Sequence, residues 1–367
     1  MKDFKHMWHF LPHSYHLKYV LVLSLFIGGH ACTKETTSSM ETLNLTNLDS
    51  KSDMLIDPNL TTNLDMETTD LDFLSSEELD VSPPDMMDDL SDMTIVSQME
   101  LPLNKSPKRG IAYGFNQAAD FTALSSGISW WYNWSPSPNS SVVELRDENQ
   151  VDWVPMTWNG NNPNEIRAYL DEHPEVKYLL TFNEPNFTDQ ANLTPAYAAS
   201  IWPIFEEIAE EYDLELVGPA VNYCGGCVEV NGVPIDSPFT VWMDMFLDEF
   251  NAQFGRPPRM DYTALHWYDY GLEDQVDEMV LRYGKPLWLT EFALWRWEDW
   301  CTDEVEREWL LEMVDFLEAH PYVFRYAWFT GRRPDFPKID LLGNEGELTP
   351  LGEAYVNAPY YVPIPKK

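Results

Sequence analysis

The segment YLLTFNEP (residues 178–185) has the form of a short apolar strand that ends in polar residues, among them Glu184. A second segment of the same design, PLWLTEF (residues 286–292), carries Glu291 near its end. Carboxylates at the same ends of two parallel strands are what the hydrolysis of a glycosidic bond requires. One protonates the leaving oxygen, and the other attacks the sugar ring or stabilises its positive charge. Glu184 and Glu291 can act together only if the rest of the chain forms a fold that places them side by side.

Further strand-like segments occur between Lys105 and the end of the chain. Most are short, apolar and bounded by Gly, Pro or Asn, as expected of strands buried on both faces. The predicted strands are residues 110–116 (GIAYGFN), 129–134 (SWWYNW), 152–158 (DWVPMTW), 178–184, 215–221 (ELVGPAV), 262–268 (YTALHWY), 286–292 and 324–330 (FRYAWFT). Residues 105–367 are close to the roughly 250 residues that are typical of an eightfold β/α barrel.

Amphipathic segments lie between several of these strands. The predicted helices are residues 164–173, 195–212, 237–254 and 303–320. Alternating strands and helices predict parallel pairing with right-handed crossovers, and eight such units favour a closed (β/α)8 TIM barrel over an open doubly wound sheet. Helical cover is short after the first predicted strand and poor after the second. No glycine-rich phosphate-binding motif follows a strand, so nucleotide binding has no support.

The positions of the two glutamates fit the active face of such a barrel. The carboxyl ends of the strands form that face. Glu184 would end the fourth strand and Glu291 the seventh, nearly opposite each other across the barrel mouth. A carboxyl separation of about 5 Å would predict hydrolysis with retention of configuration, and a wider gap would predict inversion.

The motifs around these residues carry a more specific resemblance. The opening GIAYGFN, the Trp-rich second strand, TFNEPN (residues 181–186), HWY (residues 266–268) and WLTEFA (residues 288–293) are the segments concerned. Together they resemble glycoside hydrolase family 128, a family of short-barrel β-1,3-glucanases in clan A, over roughly residues 108–354. Asn-Glu-Pro alone would indicate only the clan.

This resemblance implies roles for three residues. Glu184 would be the general acid/base, Glu291 the nucleophile, and Asn183 a hydrogen-bond partner of the sugar 2-hydroxyl. The family also contains weak, exo-acting and binding-only members. The chain departs from the clan at one point, because many members carry an arginine near the end of the second strand and this strand has none.

The sixth predicted strand supplies polar neighbours for Glu291. Glu291 needs hydrogen-bond donors if it is to remain ionised. Tyr268 and His266, on the strand beside it, are the candidates, and we also predict that both bind the substrate. For His266 the alternative is a core histidine that is bonded to the backbone.

Aromatic residues are the second signal in this chain, which contains 15 Trp. Pyranose rings present flat C–H faces, and a tryptophan offers a large rigid surface against which they can stack. Core packing is the alternative for a tryptophan inside a strand. The other predicted substrate-binding residues are Asn116, Trp131, Trp158, Trp295 and Trp328, with Trp328 as the floor of the subsite for the cleaved sugar.

The amino terminus has the features of a targeting segment. Lysines precede an apolar run over residues 19–29 that is too short to span a membrane as a helix. Residues 1–31, followed by Cys32, resemble the signal peptide of a bacterial lipoprotein. Gly29 stands where such signals usually have an aliphatic residue, so an ordinary cleaved signal is the alternative. We expect export, with a lipid on Cys32 as the only membrane attachment.

Residues 33–104 have a different composition from the rest. They contain 17 Asp and Glu, two Lys and a single aromatic residue, which predicts an acidic disordered linker. The formal charge of the whole chain is −38, which argues against nucleic acid as a partner and fits a neutral polysaccharide. The remaining residues, 105–367, form the predicted hydrolase domain, which we expect to be monomeric.

Three cysteines follow the linker. In an exported chain, Cys224 and Cys227 could close a tight loop, or one of them could pair with Cys301 and leave a free thiol; the sequence leaves this open. A lone C-x-x-C is poor support for zinc. We expect no metal or organic cofactor, because two carboxylates and water suffice for glycoside hydrolysis.

The predicted function is a retaining, endo-acting β-1,3-glucan hydrolase that is anchored at the cell surface or periplasm, or secreted. One alternative is a catalytically weak surface lipoprotein that only binds glycans. Another is a clan A hydrolase for a different β-glycan such as mannan or β-1,4-glucan, because one barrel fold hosts many chemistries.

Overall fold

A computed structural model describes residues 105–361, in which strand and helix alternate around a barrel. The predicted signal peptide (residues 1–31), the candidate lipidation site Cys32 and the predicted linker (residues 33–104) lie outside the described residues. No helix within residues 105–361 combines the length and the apolar content needed to cross a bilayer.

The barrel strands are short and parallel. In chain order they are β1 (Arg109–Ala112), β2 (Trp130–Tyr132), β3 (Asp152–Trp153), β4 (Tyr178–Leu180), β5 (Glu215–Val221), β6 (Tyr262–Trp267), β7 (Leu287–Phe292) and β8 (Val323–Trp328). Each lies within one residue of the start of a predicted strand, but most end earlier. The last residues of several predicted strands instead form loops at the carboxyl edge, where a barrel places its functional groups.

A helix follows each strand. They are α1 (Ala118–Ser125), α2 (Leu145–Asn149), α3 (Pro163–Glu172), α4 (Pro195–Glu211), α5 (Phe239–Phe254), α6 (Leu272–Tyr283), α7 (Asp303–Ala319) and α8 (Pro350–Asn357). The predicted helices correspond to α3, α4, α5 and α7. Thr194, Thr302 and Thr349 cap α4, α7 and α8, because each side chain accepts a hydrogen bond from a backbone N–H in the first turn.

The strand order closes the sheet into a barrel. Hydrogen-bonded ladders run in the order β3, β2, β1, β8, β7, β6, β5, β4, and every pairing is parallel. The gap between β3 and β4 is closed by a parallel bridge between Met156 and Leu180. The backbone N–H of Thr157 donates to Leu180 O over 2.9 Å at this closure. The predicted (β/α)8 TIM barrel is therefore confirmed.

Side chains on the two faces of the strands form two apolar layers. Trp130 and Trp288 point into the barrel, where their ring centroids are 5.0 Å apart. Trp131, the next residue along β2, points outward and packs against Phe121 of α1 at 5.2 Å. Because both faces are buried, the strand sequences are apolar almost throughout.

The amino-terminal end of the barrel is filled around one buried arginine. The guanidinium carbon of Arg325 lies 4.8 Å from the ring centroid of Tyr178 and 5.0 Å from that of Trp288. Its Nη2 lies 2.9 Å from Asp152 Oδ2. We call Arg325, Asp152, Tyr178 and Trp288 the floor cluster.

The loop between β5 and α5 contains a disulfide and a short hairpin. Cys224 and Cys227 are bonded to each other, and the hairpin pairs Glu229–Val230 with Val233–Pro234. Cys301 is buried as a free thiol. Of the pairings that the sequence left open, the structure contains the tight Cys224–Cys227 loop.

Candidate active site

Glu184 reaches the barrel mouth through an uncommon backbone conformation. The chain continues past β4 in an extended form, and the Glu184 N–H donates to Ala220 O over 2.8 Å. Glu184 itself has φ +42°, in the left-handed region that non-glycine residues seldom adopt. Such conformations persist where the surrounding structure imposes them, and they are concentrated at functional sites.

The Glu184 carboxyl group is held by two side chains from neighbouring strands. Its Oε1 lies 3.0 Å from Nδ2 of Asn222, which follows β5, and 2.9 Å from Nδ1 of His266 on β6. The other ring nitrogen of His266 lies 2.9 Å from Thr290 Oγ1. His266 is completely buried, so its ring orientation is fixed from both sides.

Glu291 accepts hydrogen bonds from three neutral aromatic donors. Its Oε1 accepts from the Tyr132 hydroxyl at 2.9 Å and from Trp134 Nε1 at 2.7 Å. Its Oε2 accepts from the Tyr268 hydroxyl and lies 3.5 Å from His266 Nδ1. Hydrogen bonds to a carboxylate favour its charged form, so these donors stabilise an ionised Glu291.

The electrostatics of the cluster reflect its burial. Burial disfavours the charged form of His266, but the carboxylates of Glu291 and Glu184 outweigh this effect and raise its pKa. Burial also raises the pKa of Glu291, while His266 and the hydrogen bonds from Tyr268 and Trp134 oppose that rise. Burial and the Glu291 carboxylate raise the pKa of Tyr132 and Tyr268 well above the usual value, so both hydroxyls remain protonated donors.

The two glutamates are close enough to act on one bond. Glu184, His266 and Glu291 each offer one polar atom, and these atoms lie within 4.8 Å of one another. The same three residues are the group within residues 105–361 whose ligand atoms could surround a metal ion. In this structure they instead hydrogen-bond one another and their neighbours.

Partly buried aromatic rings surround the Glu291 side of the mouth. Phe329 contacts Trp134, Tyr268 and Trp295, with centroid separations of 6.0, 5.6 and 6.4 Å. Trp297 and Trp300 lie further out on the loop after β7 and are more than half exposed. These rings offer apolar faces beside the two carboxylates, as a sugar-binding cleft requires.

The structure brings together Glu184, Glu291, His266 and Tyr268, all of which the sequence singled out. Asn183 is buried beside Glu184, and its Oδ1 makes no hydrogen bond within the described part of the chain. A buried polar atom without a partner is rare in folded proteins, and the predicted contact of Asn183 with a sugar hydroxyl stays a prediction.

Three of the other predicted substrate-binding residues lie where a ligand could reach them. Trp295 is half-buried next to Tyr268, and Trp158 is half-buried after β3. Asn116 is exposed in the loop before α1. These positions allow contact with a ligand, and their role in substrate binding stays a prediction.

Three predicted contacts need correction. Trp131 and Trp328 are both fully buried on the outer face of the sheet, and Trp328 Nε1 donates to Ile339 O over 2.8 Å. Neither ring can reach a sugar. His266 is also fully buried and contacts the two glutamates, so it lies behind them instead of against the substrate, and its partners are side chains instead of the backbone.

Sequence reasoning missed three residues of the site. Tyr132 lies between tryptophans in the predicted second strand and Trp134 at its end, and nothing in the sequence marks either as a hydrogen-bond donor to Glu291. Asn222 was missed because it lies just beyond the end of β5. Its position directly after an apolar strand was the available signal, since polar residues there face the barrel mouth.

Comparisons with known proteins agree with this geometry. Residues 110–355 match the family model described as glycosyl hydrolase catalytic core. The chain is similar to the crystal structure of a GH128 (subgroup II) endo-β-1,3-glucanase from Pseudomonas viridiflava, with 45% identity and a TM-score of 0.64, over 70% of this chain and 100% of that chain. The corresponding enzyme from Sorangium cellulosum is 38% identical, with a TM-score of 0.61 and the same coverage.

A curated relative is more distant. Alkali-sensitive linkage protein 1 from Schizosaccharomyces pombe is 27% identical over 271 residues, which are 69% of this chain and 45% of the relative. The chain thus spans less than half the length of that relative, and the match supports the shared domain alone.

Proposed function

Because the chain belongs to glycoside hydrolase family 128, we propose that it hydrolyses β-1,3-glucan with retention of configuration, with Glu184 as general acid/base and Glu291 as nucleophile. The family membership makes it a glycoside hydrolase. The substrate, the stereochemistry and the roles of individual residues are the proposed part.

One observation carries the proposal: two buried carboxyl groups face each other at the carboxyl ends of β4 and β7, with oxygen atoms within 4.8 Å. Retaining glycosidases hold their two carboxyl groups about 5–5.5 Å apart, whereas inverting enzymes need about 6.5–9.5 Å to admit a water molecule. The spacing here favours direct attack by one carboxylate on the anomeric carbon.

The partners of each glutamate support the assignment of roles. Glu291 accepts hydrogen bonds from Tyr132, Trp134 and Tyr268, which stabilise the anion that a nucleophile must be. Glu184 lies across the mouth, where it can reach the leaving oxygen. It would first donate its proton to that oxygen and then, as a carboxylate, remove a proton from the incoming water.

In the first step, a carboxylate oxygen of Glu291 bonds to the anomeric carbon while the glycosidic bond breaks and the leaving oxygen takes the Glu184 proton. In the second step, water attacks the same carbon, the bond to Glu291 breaks, and Glu184 recovers its proton. Each step inverts the anomeric carbon once, so the product retains the configuration of the substrate.

Two features support a β-1,3-glucan as the substrate. The similar solved structures are named as endo-β-1,3-glucanases, and they match this chain over their whole length. The mouth also carries half-buried aromatic rings, and the chain has a formal charge of −38, which suits a neutral polysaccharide. The names of these relatives also support endo action, which we propose; that the enzyme is a monomer stays a prediction.

The test is product analysis of the full chain on laminarin and curdlan, with mannan and a β-1,4-glucan beside them. We expect short oligosaccharides from the β-1,3-glucans, and a freshly released β-anomer by proton NMR. Glu184→Gln and Glu291→Gln should both be inactive, while the exposed-residue variant Glu312→Gln on α7 serves as the matched control. An α-anomer as the first product would contradict retention.

The same panel separates the alternatives. Cleavage of mannan or β-1,4-glucan instead would identify a hydrolase of another β-glycan. Binding of laminarin without cleavage would identify a glycan-binding protein. Export and a lipid on Cys32 are also proposals, since that segment lies outside the described residues; mass spectrometry of the protein from a native membrane fraction tests them.

A further inference from the structure

We propose that Asn222 is a positioning residue that confines the transferable proton of Glu184 to Oε2, and that the disulfide loop Cys224–Cys227 holds Asn222 in place. The inference rests on the proposed role of Glu184 as general acid/base, and it adds a residue that lies outside the family motifs.

The orientation of the Asn222 amide follows from its own contacts. Its Oδ1 accepts a hydrogen bond from the backbone N–H of Tyr223 at 2.8 Å. A backbone N–H is always a donor, so the atom that faces it must be the amide oxygen. The other end of the amide, Nδ2, therefore points at Glu184 Oε1, at 3.0 Å.

This orientation decides which oxygen of Glu184 carries the proton. An amide NH2 group only donates, so Glu184 Oε1 must accept. His266 Nδ1 lies 2.9 Å from the same Oε1, and it donates there when the ring is protonated, the form that the neighbouring carboxylates favour by raising the pKa of His266. Within residues 105–361 both hydrogen bonds of the Glu184 carboxyl group fall on Oε1. The proton that Glu184 donates is therefore placed on Oε2, which keeps it free for the leaving oxygen of the substrate.

The backbone around Asn222 is tied to the loop that follows Glu184. The carbonyl oxygen of Asn222 accepts a hydrogen bond from Asn186 Nδ2 at 2.5 Å. Asn186 is itself buried two residues beyond Glu184, and its backbone oxygen accepts from Val228 N at 2.9 Å. The acid and its amide partner are thus parts of one hydrogen-bonded unit.

The disulfide lies at the outer edge of that unit. Cys227 forms a bridge with Phe187, and Gly226 O accepts from the backbone N–H of Thr188 at 2.9 Å. At its other end, Cys224 O accepts from the Ser237 hydroxyl at 2.8 Å. The covalent link between Cys224 and Cys227 therefore fixes the turn that begins two residues after Asn222.

The test uses leaving groups of different quality, because only a poor leaving group needs the acid. Full-length wild type, Asn222→Ala and the exposed-helix control Asn251→Ala are compared on laminari-oligosaccharides and on 2,4-dinitrophenyl β-laminaribioside. We expect kcat/KM of Asn222→Ala to fall about 10- to 100-fold on the oligosaccharide, and to stay within about threefold on the dinitrophenyl substrate, whose leaving group requires no proton. Asn251→Ala should match wild type on both.

A second variant keeps the proposal testable if Asn222→Ala folds poorly. Asn222→Asp preserves the size of the side chain and the oxygen that Tyr223 needs, but places a second negative charge beside Glu184. We expect the alkaline limb of its kcat/KM profile on the oligosaccharide to move to higher pH, because a like charge nearby makes loss of the proton harder. Its thermal midpoint should remain close to that of wild type.

The outcomes are distinct. An equal loss of kcat/KM on both substrates would show a general structural role for Asn222 and overturn the inference. So would an Asn222→Ala variant with normal kcat/KM on the oligosaccharide, or an Asn222→Asp variant with an unmoved alkaline limb. A wild-type protein that cleaves neither substrate would overturn the proposed function itself, and the inference with it.

Discussion

The two ends of the barrel both bury charged groups, but they neutralise them differently. In the floor cluster, Arg325 pairs with Asp152 at 2.9 Å and lies between the rings of Tyr178 and Trp288. At the mouth, Glu184 and Glu291 share one histidine, and neutral hydroxyl, indole and amide groups make the other contacts.

This difference separates a stabilising arrangement from a reactive one. A charge that is paired and stacked against aromatic rings is stabilised in its ionised form, so a change of protonation or partner would raise its free energy. Two buried carboxyl groups that share one histidine are costly to hold together, and the fold must maintain them through hydrogen bonds. Such sites are where chemistry is performed, because their groups can exchange protons and form bonds.

The largest expected effect is on activity at the mouth. We expect Glu291→Gln to lower kcat on laminarin by at least about 1,000-fold, because the variant lacks the proposed nucleophile. Its thermal midpoint should be unchanged or higher, since a buried negative charge is removed. Steady-state kinetics and thermal unfolding check both parts. A large fall in stability would show that the mouth is organised for folding as much as for chemistry.

The converse is expected at the floor. Arg325→Met should lower the free energy of unfolding by about 2–4 kcal/mol, through loss of the aromatic contacts and of the ion pair with Asp152. At a temperature where the variant is folded, kcat should stay within about twofold of wild type, because the floor lies at the opposite end from the glutamates. Urea unfolding and laminarin kinetics measure the two quantities.

Arg307→Met on α7, at a half-exposed side chain whose partner Glu304 is one turn away, is the matched control and should leave the free energy of unfolding close to that of wild type. A floor variant that keeps its stability but loses activity would contradict the division between the two ends.

A smaller effect is expected from the shared cation at the mouth. The positive charge of His266 lowers the pKa of Glu291, so its removal in His266→Asn should raise that pKa. Glu291 must be ionised to attack, so the acidic limb of the kcat/KM profile should move to higher pH, with a loss of about 10- to 100-fold at the optimum. The control is His320→Asn, at the end of α7, which should leave the profile unchanged.

An acidic limb at the wild-type position in His266→Asn would mean that the neutral donors alone keep Glu291 ionised. The histidine would then serve only to orient the two carboxyl groups.

The mildest change is to open the disulfide loop. Cys224→Ser with Cys227→Ser should lower the free energy of unfolding by about 2 kcal/mol, the loop-closure entropy of so short a ring. We expect kcat/KM on laminari-oligosaccharides to fall by about two- to fivefold, a small fraction of what a positioned general acid contributes. Cys301→Ser, at the buried free thiol, is the control for activity and should leave kcat/KM within about twofold. Unchanged activity in the double variant would show that hydrogen bonds alone hold Asn222.

The fold and the two glutamates could be predicted because they follow from local patterns. Apolar runs such as residues 286–292 end in polar groups, and the segments between them have helical spacing. The rule that functional groups lie at the carboxyl ends of barrel strands then placed Glu184 and Glu291 at one mouth.

The direction in which a side chain points was harder to predict. Strands buried on both faces lack the apolar–polar alternation that distinguishes inside from outside. Trp131 and Tyr132 are adjacent in β2, yet the first packs against a helix and the second donates to Glu291. Trp134 has φ +61°, and the sequence gives no sign that its backbone turns in this way. Asn222 depends on a contact across 38 positions of the chain.

The two strands that lead to the glutamates are held by different numbers of neighbouring strands, so their backbones should open at different rates. β7, which carries Glu291, pairs along its length with β6 and β8. β4, which leads to Glu184, has a ladder on β5, but among residues 105–361 its contact with the other side of the barrel is limited to the Met156–Leu180 bridge and its adjoining hydrogen bonds. Amide exchange should therefore be slow in β7 beneath Glu291 and faster along the seam beside Glu184. The stiffer half holds Glu291, which as the proposed nucleophile would attack one carbon atom, and the seam adjoins Glu184, which as the proposed acid/base would first give up and then recover a proton in each turnover.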